Sequence, residues 1–128
     1  MFQDDTFASF GAAYSQLRNA NTREFKDETD VFGDGLVLIK SMPGHTPGSS
    51  VLLVRLANAG NVLLSGDLYV HRQDRELQTI PTFTMDQQVI VDSRKRFEML
   101  AAEKKARVII QHSLDDFESL PKFPRFLD

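Results

Sequence analysis

Each of three polar residues, His45, Asp67 and His112, comes shortly after an apolar run of the chain. If these runs are strands of one sheet with coinciding ends, two imidazoles and one carboxylate meet at a single edge. Neutral imidazole and carboxylate are the usual ligands for zinc in a site that keeps a water molecule. Such a water is acidic enough to supply hydroxide near neutral pH. The spacing therefore suggests a hydrolytic metal site, although each residue alone also fits an ordinary loop or turn role.

Histidine and cysteine usage restricts the other chemistries. The chain has three histidines and no cysteine, which excludes disulfides, thiolate metal sites and a cysteine nucleophile. We expect the remaining histidine, His71, to be exposed. A serine hydrolase using Ser49 or Ser50 with His112 and Asp67 is disfavoured, because the sequence has no Gly-x-Ser-x-Gly elbow.

The elements that must position these residues follow from the apolar pattern. Strands are predicted at residues 36–39, 51–54, 62–64 and 107–111. Residues 58–61 read as a hairpin loop, and the continuous apolar runs predict strands covered on both faces. A long helix fits residues 85–105, with Thr84 and Gln87 at capping-box spacing. Its predicted buried stripe comprises Val89, Ile90, Phe97, Leu100 and Ala101.

The two ends of the chain carry weaker signals. A first helix is predicted from the stripe Phe7, Phe10, Tyr14 and Leu17, with Thr6 as its N-cap. Residues 22–32 favour a short strand, and the Gly-Asp-Gly at 33–35 favours a turn. The tail at 120–128 contains two prolines and is expected to be irregular. The order of elements predicts an α/β structure.

Length and charge define the broad class. The 128 residues, 41% hydrophobic with a net charge of −3, are typical of one globular domain. No segment concentrates basic residues, so nucleic acid is not expected as a partner. No apolar run reaches the length of a membrane span, and no signal-peptide pattern opens the chain, so we expect a cytoplasmic protein without membrane association.

Several segments together resemble the metallo-β-lactamase superfamily, in its N-acyl homoserine lactonase-like branch. The segments are PGHTPGS at 43–49, LSGD at 64–67, IPTF at 80–83, IQH at 110–112 and LPK at 120–122. The resemblance implies the C-terminal half of an αββα sandwich, a mixed β-sheet covered by helices. Under it, 1–128 is a single partial domain with a helical lead-in at 1–30 and the strands, long helix, last strand and tail at 31–128.

The resemblance also implies roles for individual residues. His45, Asp67 and His112 match metal ligands for zinc or another divalent transition metal, and Asp67 matches the carboxylate that bridges two metals. In such enzymes a metal-bound hydroxide attacks a lactone or other acyl carbonyl. Tyr69 is expected to contact the oxyanion or leaving group, with a packed tyrosine as the alternative. Arg72 and Arg75 are candidates for attracting an acidic substrate group, with solvent-facing arginines as the ordinary alternative.

The family's His-x-His-x-Asp-His motif is absent, so the chain lacks four of the seven metal ligands that the resemblance implies. Ser113 also stands where this branch often has aspartate, which removes one partner of the site. We therefore expect a hydrolase that is incomplete and inactive as this chain alone, with metal weakly bound or absent. The alternative is a non-catalytic binding or assembly module. In either case the open sheet is expected to pair with a second copy or with a separate N-terminal half.

Overall fold

The computed structural model describes residues 20–82 and 86–128. The helix expected around residues 6–19 and the capping role expected of Thr84 lie outside these ranges. The described strands are β1 Glu28–Asp30, β2 Val37–Ser41, β3 Ser50–Leu56, β4 Gly60–Leu64 and β5 Arg107–Ile109. Within the same ranges the helices are α1 Arg72–Glu76, α2 Gln87–Lys104 and α3 Leu114–Ser119, and a 3-10 turn covers Gly66–Leu68.

The five strands form one mixed sheet in the order β1-β2-β3-β4-β5. Each consecutive pair from β1 to β4 is antiparallel, whereas β5 is parallel to β4. A parallel neighbour requires a crossover connection, and α2 lies in that connection. The α/β class and the mixed sheet with helices are therefore confirmed, as is the hairpin between β3 and β4.

One face of the sheet packs under α2 and forms the core. Leu53 and Leu63 pair across β3 and β4 on this face and are completely buried. The facing side of α2 contributes the predicted stripe, in which Ile90, Phe97, Leu100 and Ala101 are buried and Val89 is half-buried. The periodicity of the sequence therefore identified the side of the helix that meets the sheet.

The other face of the sheet is only partly covered by the chain. Alternate residues of β3 are buried and half-buried, so in β3 the expectation that strands are covered on both faces is met on one face only. In β4, Val62 is buried on the second face as well. The half-buried apolar residues of this second face are Val37, Ile39, Leu52, Val54 and Leu64. A continuous apolar run indicates that both faces of a strand are apolar, but it does not indicate what covers each face.

Several boundaries differ from the prediction. The strand expected within 22–32 contains only Glu28–Asp30. The long helix begins at Gln87 with Asp86 as its N-cap, since the Asp86 carboxylate accepts a 3.0 Å hydrogen bond from the Val89 N–H. Gln87 is thus the first helical residue and cannot be the third residue of a capping box.

The remaining segments are irregular or locally hydrogen-bonded. In the turn after β1, the Asp30 carboxylate accepts hydrogen bonds from the backbone N–H groups of Gly33 and Gly35, at 3.0 and 2.7 Å. The tail at 120–128 is irregular, as expected, and Asp128 folds back to accept a 2.8 Å hydrogen bond from the Asn58 side chain. Among the described residues, no helix is long and apolar enough to cross a membrane.

Candidate active site at one edge of the sheet

The structure brings His45, Asp67 and His112 together. His112 Nε2 lies 2.9 Å from Asp67 Oδ1, and His45 Nε2 lies 3.7 Å from Asp67 Oδ2. The meeting follows from the topology, because the ends of β2, β4 and β5 and the start of β3 share one edge of the sheet. The two oxygens of one carboxylate thus face two different imidazoles.

The three side chains differ in their access to solvent. The His112 side chain is 57% exposed and that of Asp67 is 47% exposed, whereas that of His45 is 23% exposed. A carboxylate between two imidazoles at an open surface can contact a small molecule arriving from solvent. The cluster therefore has the accessibility that a binding or catalytic site requires.

The loop that carries His45 is docked on the first turns of α2. The Ser93 hydroxyl donates a 2.7 Å hydrogen bond to the carbonyl of Pro43, and the Asp86 N–H donates one of 3.2 Å to the carbonyl of Gly44. Gly44 has a φ of 137°, and a Cβ built there would lie 2.5 Å from Ile90 Cα. Only glycine allows this approach, so the backbone next to His45 is held against the helix.

The turn that carries Asp67 is equally constrained. Gly66 has a φ of 53°, and a Cβ at this position would lie 2.6 Å from the carbonyl oxygen of Ser50 at the start of β3. The Ser65 N–H donates a 3.0 Å hydrogen bond to the carbonyl of Ile109, which continues the pairing of β4 with β5. The backbone that precedes Asp67 is therefore fixed from both neighbouring strands.

His112 follows β5 in a segment that Asp116 stabilises. The Asp116 carboxylate is buried, accepts a 3.1 Å hydrogen bond from the Ile110 N–H and forms an ion pair with Arg72. Ser113 is the N-cap of α3, and its hydroxyl accepts a 3.4 Å hydrogen bond from the Asp116 N–H. In this chain the residue after His112 therefore starts a short helix. Because Ile110 donates to Asp116, β5 ends at Ile109, earlier than the predicted 107–111.

The chemistry of the three donors fits a divalent transition metal. Two imidazole nitrogens and a carboxylate are the ligand types that zinc takes in hydrolytic sites. The atoms are paired with one another, however, and among residues 20–82 and 86–128 no three such side chains surround a common point as metal ligands would. The donor set fits by type, and binding would require the donor atoms to turn toward a common point.

Tyr69 is placed in the core, so it does not join the three residues. Its side chain is completely buried, and its hydroxyl donates a 3.0 Å hydrogen bond to Glu98 on α2. The ring packs edge-on against Phe97, with centroids 5.6 Å apart, and lies under the Arg94 guanidinium. Burial, reinforced by the negative charge of Glu98, raises the pKa of Tyr69. This placement corresponds to the alternative of a packed tyrosine.

The two arginines expected at the substrate or in solvent are both engaged within the protein. Arg75 forms a two-pronged ion pair with Glu98, with hydrogen bonds of 2.8 and 2.7 Å. The hydrogen bonds from Arg75 hold the pKa of Glu98 below its usual value, against the opposing effect of burial. Arg72 pairs with buried Asp116, and its own side chain is 42% exposed, so it also faces solvent in part. Attraction of an acidic substrate group stays a prediction for both arginines. His71 is exposed, as expected, at the N-cap of α1.

The supporting residues were missed by the sequence reasoning. Gln111 accepts a 3.0 Å hydrogen bond from the Gly66 N–H, and Ser93 anchors the loop of His45. Ser113 and Asp116 have the Ser-x-x-Asp spacing of a helix start, which is the one local signal that could have identified α3. The alternative serine nucleophiles make local hydrogen bonds. The Ser49 hydroxyl accepts from the Thr46 N–H, and the Ser50 hydroxyl, at the start of β3, donates to the carbonyl of Gly48.

Comparison with known proteins identifies relatives of this chain. No protein-family model matches the chain. The N-acyl homoserine lactonase AttM of Azorhizobium caulinodans is 32% identical over 133 aligned residues, which span 99% of this chain and 51% of that enzyme. AttM of Rhizobium radiobacter is 33% identical over 78% of this chain and 38% of its own length. The chain spans about half the length of the curated relatives it matches.

Solved structures agree on the fold. An N-acyl homoserine lactone hydrolase, determined with N-hexanoyl-L-homoserine at its catalytic metal centre, superimposes with a TM-score of 0.77 at 23% identity. The superposition covers 87% of this chain and 43% of that enzyme. By sequence and by fold, the chain belongs to the N-acyl homoserine lactonase-like branch of the metallo-β-lactamase superfamily.

Proposed function

We propose that this chain carries part of the active site of a metal-dependent hydrolase that opens lactones. In this proposal His45, Asp67 and His112 hold a divalent transition metal, with zinc as the first choice. The observation that carries the proposal is the geometry of the Asp67 carboxylate, whose two oxygens face the Nε2 atoms of two different histidines. The names of the relatives, which are N-acyl homoserine lactonases, supply the substrate class.

A bound divalent metal supplies Lewis acidity and a nucleophilic hydroxide at neutral pH. The residues of this chain would bind that metal and hold it in place. His45 is held by the docked loop, so it contributes a fixed Nε2 donor, while Asp67 offers one oxygen toward each side of the site. The exposure of His112 leaves room for a lactone carbonyl to approach from solvent.

The number of ligands limits what the chain does alone. Three protein donors with one open position suffice for a catalytic zinc. The resemblance implies seven ligands, however, and this chain supplies three of them. We therefore propose that the chain alone binds metal weakly and hydrolyses lactones slowly or not at all. Additional ligands from a partner polypeptide would then complete the site, and activity would increase when that partner is added.

Zinc binding by the whole chain tests the proposal. We expect zinc binding to be lost in His45→Ala and in His112→Ala and kept in His71→Ala, since His71 is an exposed histidine that the proposal does not use as a ligand. Isothermal titration and metal analysis after dialysis measure the binding, and hydrolysis of an N-acyl homoserine lactone is assayed in parallel. Equal zinc binding by all three variants, or none by the wild type, contradicts the proposal.

The second candidate function, an assembly module, is favoured by the half-covered second face of the sheet. We propose that this face, defined by Val37, Ile39, Leu52, Val54 and Leu64, pairs with a second copy of the chain. Its apolar side chains are half-buried within one chain, and apolar burial is the main driving force of association. Molar mass in solution tests the pairing. A dimer that becomes monomeric in Leu52→Glu, and not in the exposed helix variant Met99→Glu, supports it, whereas a wild-type monomer contradicts it.

A further inference from the structure

Gln111 connects the two segments that carry Asp67 and His112. It directly precedes His112, and its side-chain Oε1 accepts a 3.0 Å hydrogen bond from the backbone N–H of Gly66, which directly precedes Asp67. The same oxygen lies 3.3 Å from the hydroxyl of Ser65, a residue that is completely buried. One amide oxygen thus joins the residues immediately before both site residues.

The connection lies where the backbone pairing of the sheet has ended. The last backbone hydrogen bond between these two segments in the described structure runs from the Ser65 N–H to the carbonyl of Ile109. Beyond it, Gly66 turns into the left-handed region and Ile110 donates to Asp116 instead of to a strand. The Gln111 side chain supplies the next link in place of the sheet.

The chemical identity of Gln111 suits this role. Its amide oxygen accepts a hydrogen bond, and its side chain has the length to reach across from the neighbouring segment. The residue is exposed, so it contributes little to the core. Its hydrogen bonds therefore act on the relative position of the two segments more than on overall stability.

We propose that Gln111 is a positioning residue of the candidate site, which holds Asp67 at hydrogen-bond distance from His112. The metal-binding consequence rests on the proposed function, since it assumes that these two residues share a metal. The geometric consequence does not, because the distance between Asp67 Oδ1 and His112 Nε2 can be measured whether or not metal is bound.

Gln111→Met and Gln111→Glu separate the hydrogen bond from the bulk of the side chain. Methionine keeps the length but has no strong acceptor, whereas glutamate keeps an acceptor oxygen. In metal-free crystal structures, we expect Gln111→Met to separate Asp67 from His112 and Gln111→Glu to keep them in contact. We expect the zinc dissociation constant to rise about 10- to 100-fold in Gln111→Met, the range for partners that orient metal ligands, and to be restored in Gln111→Glu. Gln88→Leu, at an exposed position of α2, is the control and should change neither quantity.

The outcomes distinguish the two proposals. If Gln111→Met keeps the contact between Asp67 and His112 in the metal-free structure, the positioning role is overturned whatever the zinc affinity. If Gln111→Met loses that contact and the wild type binds no zinc, the positioning role stands and the proposed metal function fails. A fall in melting temperature without a change in the contact would show a merely structural role and would also overturn the inference.

Discussion

Gly44→Ala tests whether docking on α2 positions His45. At this glycine an added Cβ would lie 2.5 Å from both Ile90 Cα and Ile90 Cβ, and 2.7 Å from Ile90 N. Ordinary carbon contacts are about 3.5–4.0 Å, so the loop and the helix would have to separate by about 1 Å. Most of these atoms are helix backbone, which cannot rotate away as a flexible side chain can.

The expected loss of stability combines two costs. Overpacking a well-packed contact costs about 1–3 kcal/mol. A φ of 137° is also a conformation that residues with a Cβ rarely adopt, which adds about 1–3 kcal/mol. Because relaxation of the loop relieves part of both, we expect a total near 3 kcal/mol, which lowers the melting temperature of a domain of this size by about 10 °C.

Gly48→Ala provides the matched control in the same loop. A Cβ at Gly48 meets no atom within 4 Å, and its φ lies outside the left-handed region. Thermal unfolding followed by circular dichroism and zinc titration would be measured for both variants. We expect Gly44→Ala alone to lose stability and zinc affinity, since His45 follows it directly. If the two variants melt within about 2 °C of each other and bind zinc equally, the reasoning is refuted.

Three further predictions concern the network around the core and the site. Tyr69→Phe removes only the hydrogen bond to Glu98, so we expect a loss of about 1 kcal/mol in unfolding free energy and unchanged zinc binding and lactone hydrolysis; a large fall in hydrolysis with the fold intact would contradict a packing role. Glu98 has a lowered pKa because of Arg75, so its stabilising effect is present above the unfolded pKa near 4.3 and is lost as the pH falls through the folded value. Between about pH 5 and 3, the melting temperature should therefore fall less with decreasing pH for Glu98→Gln than for the wild type. An equal fall in both proteins would count against this. Asp116→Ala leaves the buried Ile110 N–H without its acceptor and removes the partner of half-exposed Arg72, so chemical denaturation should show a loss of about 1–3 kcal/mol, against less than 0.5 kcal/mol for exposed Asp115→Ala; similar losses in both would be inconsistent with the buried network.

The sequence was sufficient to predict which side chains meet at the sheet edge. Apolar runs located the strands to within a few residues, because a strand in a sheet needs an apolar face to bury. Each polar residue immediately after such a run was then a candidate for the edge, and the topology placed His45, Asp67 and His112 there together. This prediction required only the positions of the strand ends, and no side-chain contact had to be predicted.

The side-chain contacts that the sequence did not predict join residues that are distant along the chain. Arg75 and Tyr69 both converge on Glu98, which lies 23 and 29 residues away, and no local pattern marks such a pairing. Tyr69 illustrates the consequence. Its position two residues after Asp67 suggested a catalytic contact, yet the chain turns after the 3-10 segment and points the ring under α2.

The same limit explains why the supports of the site are harder to predict than its reactive residues. A metal ligand is restricted to a few residue types, so a histidine or aspartate is conspicuous wherever it stands. A residue that orients a ligand needs only one acceptor or donor at the right place, which Gln111 supplies with a side-chain oxygen and Ser93 with a hydroxyl. Such residues become identifiable only once the backbone groups that they bind are located. Variants of Gln111 and Ser93 therefore test the folded geometry, whereas variants of His45 and His112 test the chemistry.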